Sequence, residues 1–212
     1  MIQLRKTGLV ADREDVDRLR SQFEKTHWVL LRDLLDQQLL SLALSYIEQG
    51  RWLENRVLGF YYDLEVGPAL QLLHFVSNTP KFLETISEIT GCNSLSWFDS
   101  RLGKMAPNLG HSDEWHTDAT EGRLIAMSLN LSPRGYQGGL LQIREAKSHR
   151  MLVEIANTGL GDAILFLVSN AFEHRVTEVP NGEARTAFAG WFTTKPGLME
   201  RLSRQQSPAR VG

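Results

Sequence analysis

Few things are present in excess in this 212-residue chain, and each shortage narrows what it can be. Cysteine is nearly missing. Cys92 stands alone, so no intramolecular disulfide can form and the chain suits a reducing compartment. Neither sign of charge dominates: 23 Lys and Arg face 25 Asp and Glu, and the formal net charge of -2 gives no electrostatic reason to expect nucleic acid or an anionic membrane. Long apolar runs are absent too. The opening "MIQLRKTGLVADRED" has no stretch of signal-peptide length, and no segment is long enough to span a bilayer, so the expected setting is the cytoplasm. There is no internal repeat and no low-complexity tract. Nothing in the sequence specifies an oligomeric state.

What is present falls into two textures. From about Arg13 to Gly91 the pattern is mostly helical. Asp36 can cap "QQLLSLALSYIEQG", whose Leu39, Leu40, Leu42, Leu44 and Ile47 fall largely on one side before Gly50. "GPALQLLHFVSN" and "TPKFLETISEITG" read as two more helices, the second opened by Thr79-Pro80 and stopped by Gly91. "THWVLLRDLL" and "RVLGFYYDLEV" have the β-branched and aromatic content of strands. From Ser94 onward come seven apolar runs of strand length, separated by "PNLG", "SPRGYQGG", "NTGLGD" and "PNGE". Many short strands at this spacing predict a jelly roll. The expected fold is α+β, mainly β: a double-stranded β-helix with an N-terminal helical layer. The expected organisation is a single domain, residues 1–212, with a helical part over about 1–93, a jelly-roll core over about 94–198 and a frayed tail over 199–212.

The stretch "GHSDEWHTDATEGRLIAMSLN" holds two His-x-Asp triplets, His111 to Asp113 and His116 to Asp118. In a strand, residues i and i+2 share a face, so such a triplet presents an imidazole and a carboxylate to one point. That suits two of the three facial ligands of a non-haem iron(II) ion, with a second His from elsewhere. A lone triplet is equally well a solvated polar pair at a strand end. Here, however, His174 follows the strand "DAILFLVS", and Arg185 follows the "PNGE" turn. An Arg there is suited to a carboxylate, because its planar fork stays charged and grips two oxygens at once.

The ordered set "HTD", "GGLLQIR", "GDAILF", "HRVTEV" and "EARTAFAGW" resembles the iron(II)/2-oxoglutarate dioxygenases of the prolyl-hydroxylase type, over roughly Ser94 to Thr194. In that family a short loop, an Arg and an apolar strand ending in Leu-Asn follow the metal triplet; here Arg123 and "LIAMSLN" stand in register with His116 and Asp118, and Gly110 matches the family's Gly ahead of the motif. The resemblance therefore assigns the metal to His116, Asp118 and His174, and the far carboxylate of 2-oxoglutarate to Arg185. His111 and Asp113 become loop or pocket-rim residues. The implied reaction is oxidative decarboxylation of 2-oxoglutarate to succinate and carbon dioxide, coupled to hydroxylation of an unactivated C–H. The implied substrate is a peptidyl proline, an amino acid or a small metabolite, with ascorbate as an optional reductant.

Two departures stand out. Ser128 occupies the position where prolyl hydroxylases carry a Tyr that helps hold the cosubstrate, and Asp113 replaces a second Tyr three places before the metal His. Asp118 argues against halogenation, since halogenating relatives lack this carboxylate. Trp191, six residues after Arg185, matches a family Trp and equally suits the core. Gly138 and Gly139 fit a turn needing positive φ or a close backbone approach, and Trp115 should point away from the metal. Phe60, Tyr61, Tyr62 and the loop from Asn108 to Glu114 are candidates for the cover of the site. A non-catalytic, cupin-like jelly roll binding a metal or ligand is the competing reading, and zinc also accepts two His and a carboxylate. No substrate-reading motif is visible.

Overall fold

Capping and turn chemistry place the helices much as the sequence suggests. The structure, a computed structural model, describes residues 1–55, 61–93, 95–120, 122–156 and 159–194, and of Tyr61 the backbone alone. The helices are α1 (Arg13–Thr26), α2 (Gln37–Gln49), α3 (Pro68–Ser77) and α4 (Pro80–Thr90). The Asp36 carboxylate accepts from the Leu39 backbone N–H at 2.8 Å, and Asp12 does the same for Glu14 at 2.9 Å, which satisfies donors that the first helical turn cannot. Gly91 ends α4 in the left-handed region. No helix among the described residues is long and apolar enough to cross a membrane.

Twelve strands lie among the described residues: β1 (Ile2–Arg5), β2 (Gly8–Ala11), β3 (Trp28–Leu31), β4 (Trp52–Asn55), β5 (Tyr61–Leu64), β6 (Trp97–Met105), β7 (Arg123–Asn130), β8 (Leu141–Glu145), β9 (Met151–Ile155), β10 (Ala163–Leu167), β11 (Phe172–Val176) and β12 (Arg185–Thr193). The β1–β2 hairpin and β4 were not expected from the sequence: both are short, and β4, "WLEN", lacks a clean alternation of apolar and polar residues. The large sheet runs β3-β10-β7-β12-β6-β5-β4 and the small one β11-β8-β9. All their pairings are antiparallel, and together they form the expected jelly roll. The tail proposed to fray and Phe60 lie outside the described residues.

Alternation along β12 decides where the site can lie. Phe188 and Phe192 face the helices, where they meet Phe98 (ring centroids 5.5 and 4.4 Å away), and Phe82 of α4 closes over Phe192. The opposite set, Arg185, Ala187, Ala189 and Trp191, faces the space between the two sheets. Ala126, Leu141, Ile143, Ile164, Phe166 and Val168 fill part of that space with a second apolar cluster. The helices thus back one face of the large sheet, and the other face is left for chemistry. Asp36→Ala should lower unfolding free energy by about 1 kcal/mol in a denaturant titration, with the m-value unchanged, because the α2 cap is lost but the core is not.

Candidate active site

His116 and His174 meet through the backbone. The two residues exchange hydrogen bonds across an antiparallel bridge, His116 N–H to His174 O at 3.1 Å and His174 N–H to His116 O at 2.9 Å. Residues opposed in this way send their side chains to the same face, and the imidazole centroids lie 4.4 Å apart. The segment from His111 to Thr120 is not the strand expected for the triplet; outside the bridge it is irregular. His174 lies mid-strand in β11 rather than at a strand start. Turn bonds, Ala119 N–H to the Thr117 hydroxyl and Thr120 N–H to the Asp118 carbonyl, swing the Asp118 carboxylate onto the same point.

The donor set is open on one side. His116 Nδ1 contacts the Glu114 carbonyl at 2.7 Å, which leaves Nε2 for the site. His174 Nε2 lies 3.1 Å from Asp118 Oδ2, and His116 Nε2 lies 3.8 Å from Asp118 Oδ1. Ligand atoms of all three fall within 4.8 Å of one another, the one such group among the described residues. About 3 Å is the spacing of neighbouring ligands around an ion with bonds of about 2.1 Å, so the three fit a cation bound on one face. Burial pushes the Asp118 carboxyl up. The His174 and Trp191 hydrogen bonds and the His174 and His116 charges outweigh it, and the group is held below the usual carboxylate range.

Two residues support Asp118 from behind. Trp191 Nε1 donates to Asp118 Oδ2 at 2.7 Å, and the Arg123 guanidinium stacks on the Trp191 ring at 3.6 Å with Nη1 3.6 Å from Asp118 Oδ1. Trp191 is therefore a partner of the carboxylate as well as a part of the apolar cluster between the sheets. Arg123 entered the sequence reading only as a register marker, since nothing in its spacing shows that it folds back over a tryptophan.

A second feature lies further along the same face. Arg185 opens β12 and donates through Nη2 to the Ser128 hydroxyl at 3.2 Å and through Nη1 to Met105 Sδ at 3.7 Å. It borders a small, partly open pocket that also meets Ser128, Asn130, Tyr136 and Ile164. Tyr136 was missed. Its phenol is raised by burial, against opposing contacts from Arg185 and Ser132, so it stays a neutral donor beside the guanidinium. The signal was its place two residues before Gly138-Gly139, both of which adopt positive φ (70° and 59°). A Cβ on Gly139 would stand 2.8 Å from Arg185 Cδ and 2.9 Å from Tyr136 Cε2, so the turn must be bare for the pair to sit there.

The other candidates separate cleanly. His111 is buried at 5 % exposure on the helix side of β6, where its Nδ1 accepts the Ala106 N–H at 3.0 Å and its ring faces Tyr62 at 5.6 Å. It is not a rim residue, because that acceptor role needs a neutral, enclosed ring. Tyr62 goes with it, which removes it from the cover of the site; the Tyr61 side chain is outside what is described. Asp113 binds by its backbone N–H to the Val176 carbonyl at 2.9 Å, extending the β11 ladder. Trp115 does point away, stacked between Arg144 and Arg175 at 4.2 and 4.7 Å.

Residues 103–193 match the family model of the 2OG-Fe(II) oxygenase superfamily. The match spans 91 of the 212 residues, and over that segment the chain is similar to this superfamily. Its cofactors are iron(II) and 2-oxoglutarate, and the two-His, one-carboxylate set is the donor chemistry that iron(II) takes with open positions. The fold of the chain is also that of solved structures at low identity. A Pseudomonas putida prolyl-4-hydroxylase is 19 % identical, with 85 % of this chain and 99 % of that one covered at a TM-score of 0.64. A Trichoplax adhaerens prolyl hydroxylase, solved with a hypoxia inducible factor oxygen degradation domain peptide fragment, is 14 % identical over 92 % and 93 % of the two chains at 0.62. SnoN, an alpha ketoglutarate dependent epimerase from nogalamycin biosynthesis, is 11 % identical over 86 % and 84 % at 0.65. No curated protein matches the chain by sequence.

Two outcomes follow from these contacts. Trp191→Phe keeps the ring and removes the donor to Asp118, and should weaken iron(II) binding by about 10–100-fold in equilibrium dialysis. An unchanged affinity would make the indole contact incidental. His111 has its pKa lowered by burial, partly opposed by the Glu54 charge. The unfolded chain, with an ordinary value near 6.5, therefore binds this proton more readily. The His111 contribution should be fully retained above pH 6.5 and lost as pH falls below it toward the lower folded value. His111→Asn, which keeps an acceptor, should flatten that part of the stability profile.

Proposed function

We propose that this protein is an iron(II)- and 2-oxoglutarate-dependent hydroxylase, with His116, Asp118 and His174 as the metal ligands and Arg185 as the anchor of the 2-oxoglutarate carboxylate. The observation that carries the reading is one face with two chemistries: three metal donors at one end and a half-buried guanidinium at the other. Ile164, which borders the Arg185 cavity, and Phe166, whose ring lies 4.9 Å from His174, are one two-residue step apart on β10. That step is about 7 Å, suited to a five-carbon diacid stretched between an ion and an arginine.

When bound, iron(II) and 2-oxoglutarate supply the oxidising chemistry, in which oxygen converts the keto acid to succinate and carbon dioxide and the substrate C–H to an alcohol. The chain's own residues hold and aim. His116, Asp118 and His174 would hold the ion. Arg185 grips the distal carboxylate, and Tyr136 adds the hydroxyl that the resemblance led one to seek at residue 128. Ser128 keeps the guanidinium turned into the cavity. Trp191 and Arg123 fix the Asp118 carboxylate in the orientation in which it would hold the ion. The apolar inter-sheet cluster excludes water from this path. A non-catalytic metal jelly roll has no use for a half-buried Arg beside a neutral phenol, which favours the enzyme reading. The substrate is a peptidyl proline, an amino acid or a small metabolite. Likeness to both hydroxylases and an epimerase leaves that choice to residues outside the metal set.

The test is succinate formation from 2-oxoglutarate with iron(II), with and without oxygen. Oxygen-dependent succinate is expected, whereas zinc binding with no succinate overturns the reading. Arg185→Ala should raise the KM for 2-oxoglutarate at least about 30-fold, since an unpaired desolvated charge costs about 2–5 kcal/mol. Arg185→Lys should fall between, keeping charge but losing the fork. Tyr136→Phe should raise the same KM by about threefold to tenfold through one lost hydrogen bond. A KM unmoved in Arg185→Ala places the carboxylate elsewhere.

A further inference from the structure

His116 is the ligand that packing holds least. Its side chain is 40 % exposed, against 14 % for Asp118 and 12 % for His174. Its Nδ1 contact is with Glu114 of the same irregular segment, so that contact moves with the segment and cannot aim it. The backbone ladder is also disturbed here. Hydrogen-bonded pairs recur at every second residue of an antiparallel ladder, so one through His116 and His174 should next join Glu114 to Val176. The bond to the Val176 carbonyl comes instead from Asp113. One extra residue is therefore accommodated between the two anchors, as in a bulge, where pairing is locally disrupted and side chains are re-aimed. Trp115 lies in that stretch, next to His116 and turned to the outer face of the small sheet. Two guanidiniums lie over its ring, Arg144 at 4.2 Å and Arg175 at 4.7 Å. Neither is loose. Arg144 reaches Glu173 Oε2 through both Nε and Nη2 at 2.7 Å, and Arg175 Nε donates to Gln142 Oε1 at 2.7 Å, with the Gln142 amide donating in turn to Glu154. These partners face one another across strands: Arg144 opposes Glu173, and Gln142 opposes both Arg175 and Glu154.

We propose that Trp115 is a positioning residue for the metal site: held by Arg144 and Arg175 on the outer face of the small sheet, it sets the backbone rotation that aims the His116 imidazole at Asp118 and His174. The proposal rests on the reading of these three as metal ligands, and adds to it a residue that touches neither metal nor cosubstrate. Neighbouring residues of an extended chain point to opposite faces, so turning one about the chain axis turns the other. An indole held by two fixed cations resists that turn. The irregular segment thereby gains from a side chain the fixed rotation that a regular strand takes from its ladder. Charge counting favours this role over an anion-binding patch. Glu173 and Glu154 balance Arg144 and Arg175, so the two cations carry no net charge with which to recruit a ligand.

The experiment measures iron(II) affinity by anaerobic equilibrium dialysis, and the geometry of the site by the visible spectrum of the cobalt(II)-loaded protein. Trp115→Leu keeps apolar bulk but offers no π face to a cation. It should weaken iron(II) binding about tenfold or more and shift the cobalt(II) spectrum toward that of His116→Ala. Trp115→Phe keeps a face for the cations and should hold the affinity within about threefold of the unaltered protein. Arg175→Gln leaves every residue from 111 to 120 in place and should weaken binding about threefold, which decides the matter if Trp115→Leu does not fold. In the Arg175→Gln background Trp115→Leu should cost less than it does alone, because the two side chains act as a unit. Lower unfolding free energy in the metal-free variants with iron(II) affinity and the cobalt(II) spectrum unchanged makes Trp115 an ordinary packing residue and overturns the proposal. Equal losses in Trp115→Leu and Trp115→Phe overturn it too, as do additive effects of Trp115→Leu and Arg175→Gln. Iron(II) binding that His174→Ala leaves intact would count against the three ligands themselves, and against the proposal with them.

Discussion

Two backbone hydrogen bonds between His116 and His174 hold the site together. They join an irregular segment to β11, and they fix two imidazoles side by side although the residues are 58 positions apart in the chain. Backbone pairing is indifferent to side-chain chemistry, so the sequence on either side is free to aim the third donor. The Thr117 and Asp118 turn contacts bring the carboxylate round, and Trp191 and Arg123 hold it there. Were the bridge to open, the histidines would separate and the carboxylate would lose the hydrogen bond and charges that offset its burial.

The far end of the cavity shows how one hydroxyl can be supplied from two places. A tyrosine at residue 128 would stand on β7 directly beside Arg185. With serine there, the phenol comes from the turn before β8, folded inward over Gly138 and Gly139. Positive φ at both glycines and the missing Cβ at Gly139 are what make this possible, because any side chain at 139 meets both Arg185 and Tyr136. Guanidinium, phenol and serine hydroxyl thus converge from β12, a turn and β7, and a carboxylate between them would be held from three directions.

Much of this was legible in the sequence where one local rule governs it. The caps at Asp36 and Gly91, the strand lengths after residue 94 and the outward turn of Trp115 all follow from period and propensity. The choice of His116 and Asp118 over His111 and Asp113 came from motif register, and the structure brings the first pair to His174 and takes His111 away. The strand expected for the triplet is not formed, since outside the bridge to His174 the segment is irregular. What escaped the sequence depends on contacts between distant residues. Arg123 lying on Trp191 and Tyr136 reaching Arg185 each join separate elements, and no spacing along the chain encodes them. β4 escaped for a related reason: "WLEN" is held by pairing to β5 and has little strand character of its own.

The central proposal is that His116, Asp118 and His174 form one face that would bind an ion and a keto acid together. Anaerobic titration of iron(II) and 2-oxoglutarate, followed through the weak visible charge-transfer band of a keto acid chelated to the metal, reads that face directly. The band is expected in the unaltered protein and in Asp113→Asn, and is expected to vanish in His116→Ala and in His174→Ala. A band that survives both histidine substitutions, or that disappears in Asp113→Asn, would contradict the account.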